Sequence, residues 1–234
     1  MPLRNMVKFG VAEAKPAPGT PQECFWRITA RQAVLAAGAI ERPIAFANND
    51  RPGVMMASAV RAYLNRWGVA PGKAVTVFGN NDDAHRTARD LAAAGVHIAA
   101  LIDSRKDVTV QGACYPVYSG AQVCNTSGRK ALESVTLRIG DREEAIQTDC
   151  LALSGGWNPS VHLTCHMNGR PTWDAELQTF VPTPGAVPDL VPAGACNGVF
   201  STAACLEDGV RAGKVVLKAL GKRGVAVDLP KADA

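Results

Sequence analysis

The sequence predicts an α/β fold, and three observations carry that prediction. A short apolar, β-branched run, Ala74-Val75-Thr76-Val77-Phe78, ends in a turn at Gly79. A helical segment follows, with Ala84, Ala88 and Leu91 on one face and Gly95 at its end. A second apolar run, Ile98 to Ile102, then delivers an acidic residue, Asp103. Strand, glycine turn, helix, strand and terminal acid is the βαβ grammar of a Rossmann-like dinucleotide-binding half.

The grammar is better kept than the fingerprint. Laid on Gly-x-Gly-x-x-Gly/Ala, the stretch reads Gly79, Asn80, Asn81, Asp82, Asp83, Ala84, so only the first glycine and the last small residue fit. The middle glycine lets backbone approach a pyrophosphate, and Asn81 puts a side chain there. Asp82 and Asp83 suit a helix start, where they are expected to cap free N–H groups, but they repel a phosphate at the same place. Asp103 stands where a ribose-binding acid belongs. The unit reads as scaffold, or as a lapsed cofactor site, ahead of a working one.

With 234 residues and a 47% hydrophobic share, the chain can bury a substantial core in one or two domains. The net charge is only +4, and Lys and Arg are scattered without aromatic interleaving, so no nucleic-acid partner is expected. No apolar stretch reaches membrane-spanning length and the N-terminus lacks a signal-peptide plan, so no membrane partner and a cytoplasmic location are expected. The seven cysteines contain no Cys-x-x-Cys pair and read as reduced, mostly buried thiols. That argues against disulfide cycling and against an iron–sulfur centre.

Residues 3–10 and 24–30 are strand candidates separated by a Pro- and Gly-rich loop, and Gln32 to Ala36 forms another ahead of Gly38. A helix is expected over roughly Val54–Trp67, its Met56, Ala59, Val60, Tyr63 and Leu64 making a core stripe. Beyond the βαβ unit, Val108–Val110, Tyr115–Tyr118, Gln122–Asn125 and Ser134–Ile139 suggest a small antiparallel or mixed β extension. Cys150–Leu153 is a brief buried strand that breaks at Ser154-Gly155-Gly156. Residues 168–192 read as a loop-rich crossover before a strand around Leu190–Val191. The helix Ser201–Leu220 follows, with Gly209 and Gly213 expected to allow close approach to a sheet.

Three strand-to-glycine junctions thus recur: Gln32–Gly38, Cys150–Gly156 and Pro192–Gly198. That layout resembles the two-dinucleotide-domain flavoproteins. Within them, Gly38-Ala39-Ile40-Glu41-Arg42-Pro43, the run Phe46 to Met55 (FANNDRPGVM), Tyr63-Leu64-Asn65-Arg66, Asn81-Asp82, Ser154 to Pro159 with His162, and Asn197 to Ser201 resemble the α subunit of heterotetrameric sarcosine oxidase. The likeness runs from about residue 3 to residue 220.

The resemblance implies a flavin-dependent oxidoreductase assembly that turns sarcosine into glycine, a one-carbon unit and hydrogen peroxide. It implies a flavin-bearing β subunit, together with smaller subunits, as partners; it also implies NAD on the α subunit, with FAD and FMN in the full assembly. The amine chemistry would then belong to the partner, so no catalytic residue is assigned here. Relative to that family the first βαβ unit and the folate-binding region are expected to be missing from this stretch. The cofactor-binding positions it points to are Val7, Gly38, Ala39, Gly194, Ala195, Phe200, Ser201 and Thr202. The implied organisation is an inserted NAD(P)-binding-like domain over 71–153 and a partial, discontinuous FAD/NAD-binding-type domain over 1–70 and 154–234. Two other readings stand beside it: a non-catalytic interaction module that has lost cofactor binding, and a subunit of a related amine or opine dehydrogenase.

Other candidates carry less. His162, Cys165 and His166 share a helical face but lack an acid or fourth ligand, so no metal is expected. His85 and His97 have no readable nucleophile or acid to complete a triad. Asn125-Thr126-Ser127 spells a glycosylation acceptor without a secretory signal. Glu41, Arg42, Asp50 and Arg51 are expected to form ion pairs that hold the junction loops.

Overall fold

The computed structural model describes Gly19 and residues 27–232. In chain order, β1 (Ala33–Leu35) and β2 (Ala39–Glu41) precede β3 (Val54–Met56), which runs straight into α1 (Ala57–Trp67). The βαβ unit consists of β4 (Ala74–Gly79), α2 (Asp82–Ala93) and β5 (His97–Asp103), followed by β6 (Val117–Ser119). A meander of β7 (Ala121–Ser127), β8 (Ser134–Ile139) and β9 (Arg142–Gln147) leads to β10 (Cys150–Ser154). Then come β11 (Trp157–Pro159), α3 (His162–His166), β12 (Pro171–Asp174), β13 (Thr179–Pro182), β14 (Leu190–Pro192), a 3-10 turn over Gly194–Asn197 and α4 (Thr202–Ala219).

The main sheet has five strands in the order β3-β10-β4-β5-β6, all parallel. A central parallel strand is buried on both faces, which is why β4 and β10 read as continuous apolar runs. Alternation sorts their side chains. Val75, Val77, Leu101 and Ala152 pack with Val60 of α1 and Ala84, Ala88 and Leu91 of α2. Phe78, Ile102, Leu151 and Leu153 pack on the other face against Val123, Val135, Leu137 and Ile146 of the meander. Beside this layer lie the parallel pair β1–β14, the antiparallel pair β2–β11 and the hairpin β12–β13.

The helices are closed by different means. Asn81 Oδ1 accepts from the Asp83 N–H at 3.0 Å to cap α2, so the cap is Asn81 and not the two aspartates expected from sequence. Ser201 Oγ caps α4 through the Ala204 N–H. α1 has no side-chain cap at Met56, and Glu41 Oε2 accepts from the Ser58 N–H at 2.7 Å instead. A carboxylate delivered from β2 thus meets the positive end of α1.

Several expectations are corrected. Val54 to Met56 form a strand rather than the start of α1, because Val54 pairs with Leu151 and a short apolar run has no period of its own to decide the matter. Val108–Val110 is irregular, with Val110 packed against the helix-side core as coil. β9 is missed by the sequence reading because its charged residues face solvent and only Ile146 is buried. The segment 168–192 holds the β12–β13 hairpin, where Trp173 meets Phe180 with ring centroids 5.1 Å apart. Gly209 and Gly213 approach nothing: a Cβ at either meets no atom within 4 Å. Of the six cysteines among the described residues, only Cys150 and Cys196 are buried, and burial pushes the Cys150 thiol up to about 12. Residues 3–10 and 24–26 lie outside the described residues, and 27–30 are irregular.

Leu151 is fully buried in the meander-side core, whereas Val34 of β1 is 48% exposed. Leu151→Ala is expected to cost about 2–5 kcal/mol of unfolding free energy, with Val34→Ala within about 0.5 kcal/mol of the parent chain. Equilibrium urea denaturation followed by circular dichroism measures both.

Candidate functional site

The chain passes from β3 through α1 to β4, skipping the position that β10 later fills, and leaves β4 through α2 toward β5 on the other side. The carboxyl ends of β4 and β10 therefore lie side by side, with the chain leaving β4 for β5 and leaving β10 for β11 in the adjoining layer. Open α/β sheets hold ligands outside the carboxyl ends of their strands. A cleft of about 610 Å³ lies there, lined by Asn80 to Asp83 after β4, Gly155 to Trp157 after β10, and Arg42, Gln178, Phe200 and Ser201 from the adjoining layer. That volume falls within the range of small-molecule sites.

Its walls meet at very short range. A Cβ on Gly79 would lie 2.5 Å from Ala84 Cβ and 2.9 Å from the Ser154 carbonyl oxygen. Gly79, at the first position of the fingerprint, and Ala84, at the third, thus together allow the close helix–strand packing for which the third position is kept small. The Asn80 N–H donates to the Ser154 carbonyl at 3.2 Å, and Asn81 Nδ2 donates to the same oxygen at 2.9 Å. Trp157 Nε1 donates to Asp83 Oδ2 at 2.6 Å. Gly155 lies so close to the Arg42 carbonyl that an added Cβ would sit 2.5 Å from it. The Gly155 N–H donates to that carbonyl at 2.9 Å, while the Arg42 N–H donates to Gly156 at 2.8 Å.

Of the four charged residues expected in ion pairs, Arg42 and Arg51 turn to neutral oxygens. Arg42 Nη1 donates to the Gln178 carbonyl at 2.7 Å, and its Nε is buried without a hydrogen-bond partner. Arg51 donates to Thr126 Oγ1 at 3.1 Å and to the Gly128 carbonyl. The loops are held by main-chain and hydroxyl acceptors, which the sequence does not display.

Asp103, at the end of β5, is fully buried. Its Oδ2 meets His85 Nε2 at 2.6 Å and Arg105 Nη2 at 2.8 Å, and its Oδ1 accepts from the Arg105 backbone N–H at 2.8 Å. Burial pushes this carboxyl up, but the Arg105 side chain and backbone, with His85, pull it below the usual carboxylate value. The same contacts hold the Arg105 guanidinium's pKa above its ordinary value, against the opposing effect of its burial.

The residues assigned from sequence fall in two places. Val7 lies outside the described residues. Gly38, with φ +71°, follows β1, and Ala39 opens β2. Gly194 and Ala195 open the 3-10 turn after β14. Leu35 pairs in parallel with Pro192, so these two junctions stand side by side at one end of the β1–β14 pair. Asp208 of α4 accepts from the Gly194 N–H at 2.8 Å. Its carboxyl is held down mainly by Arg211, with burial opposing and the Gly194 and Asn197 N–H groups assisting. Phe200 and Ser201 line the cleft, and Thr202 begins α4. The third junction, Ser154 to Gly156, belongs to the main sheet and borders the cleft from the other side. Sequence reasoning assigned no role to Arg42 as a cleft wall, to the Trp157–Asp83 bond or to Asp208; the only hint was Trp157 directly after a Gly-Gly break. His162, Cys165 and His166 are exposed on the single short turn of α3.

A parallel sheet with its cleft at the carboxyl ends of β4 and β10, beside the β2–β11 pair and a second parallel pair, defines an α/β chain with the fold of flavin- and nicotinamide-dependent oxidoreductases. Solved structures share it: L-proline dehydrogenase from P. horikoshii (TM-score 0.64, 24% identity, 84% of this chain and 36% of that one). Thioredoxin reductase from T. acidophilum gives 0.65 at 15% identity, over 86% of this chain and 68% of that one. More specifically, the chain is a homologue of one segment of sarcosine oxidase α subunits. It is 44% identical over 209 residues to that of Rhizobium meliloti (strain 1021), covering 88% of this chain and 21% of the relative. The identity is 40% over 221 residues to that of Corynebacterium sp. (strain P-1), covering 89% and 23%. The chain therefore spans about a fifth of the length of these relatives. One of the opine oxidase subunits of Rhizobium meliloti (strain 1021) is 24% identical over 226 residues, 82% of this chain and 49% of that protein. No protein-family model matches the chain.

The buried Asp103 cluster makes a pH-dependent prediction. Its carboxyl titrates lower in the folded chain than in the unfolded one, so its stabilisation is complete above the unfolded value and lost as pH falls through the folded value. Asp103→Asn is expected to cost about 2–3 kcal/mol at pH 7, a difference that narrows once pH falls below about 4. Urea denaturation of both proteins across that range reads the difference directly.

Proposed function

We propose that the chain acts as the nucleotide-domain part of a sarcosine-oxidase-type α subunit. In that role it belongs to a cytoplasmic, heterotetrameric, flavin-dependent oxidoreductase that oxidatively demethylates sarcosine to glycine, a one-carbon unit and hydrogen peroxide. The observation that carries this reading is the 44% identity sustained over 209 residues, nearly the whole chain. The amine chemistry is assigned to a flavin-bearing β subunit, with smaller subunits completing the assembly, and no residue here is given a catalytic role.

The division proposed is an inserted unit over 71–153, to which β3 and α1 attach through the main sheet, flanked by a discontinuous nucleotide-binding unit over 1–70 and 154–234. NAD is assigned to the second unit, FAD and FMN to the assembly. The chain's residues fit that assignment at the paired junctions. The Cβ directions of Gly38 are open, Gly194 carries only Cys205 within 4 Å, and Ser201 and Thr202 start an eighteen-residue helix whose positive end suits an anion. When bound there, the dinucleotide would supply redox capacity; Gly38 would give it backbone clearance and the first turn of α4 N–H groups, the Gly194 N–H being already bonded to Asp208. A related reading, a subunit of an opine-oxidising enzyme, is supported by the 24% identity over 82% of this chain to the opine oxidase relative.

Measuring oxygen uptake after co-expression with a flavin-bearing partner decides between these. Sarcosine-dependent uptake by the assembly, with none from the chain alone, is the expected result. Uptake by the chain alone removes the division of labour, and uptake with an opine but not with sarcosine selects the second reading. Nucleotide released on denaturing the purified chain identifies what it carries.

A further inference from the structure

We infer that the βαβ unit of β4, α2 and β5 is self-ligated: the Asp83 carboxylate takes the place of a pyrophosphate at the start of α2 and bonds Trp157, closing this edge to dinucleotides and latching α2 to β11. The inference goes beyond the proposed function, which concerns the junctions at Gly38 and Gly194 and the start of α4. Although Phe200 and Ser201 border the same cleft, it is read separately, at residues 79–84 and 103–105.

Several groups that a dinucleotide would use at this edge already have partners within the chain. The Asp83 N–H donates to Asn81 Oδ1, and the Asn80 N–H donates to the Ser154 carbonyl. Asn81, at the middle glycine position, is fixed at both ends of its amide: Nδ2 donates to the Ser154 carbonyl at 2.9 Å, and Ser154 Oγ donates to Oδ1 at 3.2 Å. Its side chain fills the space through which backbone approaches a phosphate. Asp82 and Asp83 place two carboxylates in the first turn. At the ribose end, both oxygens of Asp103 are engaged by His85 and Arg105, and Arg105 reaches on to Asp82 at 2.8 Å. The bonds of Asp103 and Arg105 thus reach Asp82 in the first turn of α2, beside the separate set that joins Asn81, Ser154, Asp83 and Trp157.

The Trp157 bond gives the arrangement a structural purpose. Trp157 pairs with Glu41 across β11 and β2, the antiparallel pair beside the main sheet. Its 2.6 Å bond to Asp83 ties α2 to that pair, next to the reciprocal main-chain bonds between Arg42 and Gly155–Gly156. An incoming pyrophosphate would have to break this tie as well as face the carboxylates.

The test uses the full chain and hydrogen exchange read by mass spectrometry, with NAD, NADH and NADPH each added at millimolar concentration. No protection at residues 79–84 or 103–105 is expected; nucleotide-dependent protection there overturns the inference. Protection confined to 38–39 and 194–202 supports it together with the cofactor assignment above, while protection nowhere supports it and removes that assignment. A gain-of-function arm follows: Asn81→Gly/Asp82→Ser/Asp83→Ser is expected to bind inorganic pyrophosphate at least about tenfold more tightly than the parent chain by calorimetry. No gain in a variant with native circular dichroism overturns the inference. Should that variant not fold, Trp157→Phe reads the latch alone, with amide exchange in the first turn of α2 expected to rise about tenfold; unchanged exchange overturns it.

Discussion

Gly79 is where three elements are forced into contact, and much of the molecule follows from that constraint. Without a side chain, β4 can end against Ala84 of α2 and the Ser154 carbonyl of β10 at distances no Cβ tolerates. Small residues at both of the other positions complete the junction. Because the strands and the helix converge so tightly, the Asn81 side chain reaches the Ser154 carbonyl while still capping α2. The same convergence sets the start of α2 opposite the Gly155-Gly156 break, where Trp157 turns back to Asp83. A larger residue at Gly79 would push the helix away and loosen every one of these contacts.

Gly155 imposes the second close approach, between the main sheet and the adjoining layer. The Arg42 carbonyl accepts from it, and Glu41, one residue earlier, supplies the missing cap of α1. A single segment, Glu41-Arg42, thus joins β2 to a helix on one side and to a strand end on the other. The joint is made almost wholly of backbone groups with paired donors and acceptors. Such bonds carry little net energy individually, but leaving a buried member unpaired is costly, so they fix geometry more than they add stability.

The legible part of the sequence was the part whose chemistry is local. β4, α2 and β5 were readable because a buried parallel sheet needs unbroken apolar runs and its helix needs a stripe, and Ala84, Ala88 and Leu91 are indeed fully buried. β8 was legible to the residue for similar reasons. β9 was not, since Arg142 to Gln147 owe their extended form to pairing with β8 rather than to their own pattern. The β12–β13 hairpin hid behind proline and glycine, its stability resting on a cross-strand aromatic pair that composition does not reveal. In the cleft, the departure from the glycine fingerprint could be read, because Asn81, Asp82 and Asp83 are consecutive. The partners that give that departure meaning could not: Trp157 lies 74 residues from Asp83, and Arg42 meets Gln178 across 136.

The strength of the internal ligand at α2 can be weighed against an external one. A tethered carboxylate loses no translational freedom on reaching the helix start, whereas a free dinucleotide must overcome that cost before any contact counts. It must also bring its charge beside the two aspartates. Asp82 is 86% exposed, so its repulsion of a phosphate about 4 Å away is screened to about 1 kcal/mol. Asp83 is half-buried, and at the effective dielectric of a protein surface the same separation costs about 4 kcal/mol. Each is at most of the order of the binding free energy of a millimolar ligand, about 4 kcal/mol. The two acids therefore oppose a phosphate at the start of α2, while Arg42, Arg86 and Arg89 line the same cleft and Asp82 is already paired with Arg105. The start of α2 holds its shape through Asn81, Ser154 and Trp157, partners supplied by the chain itself.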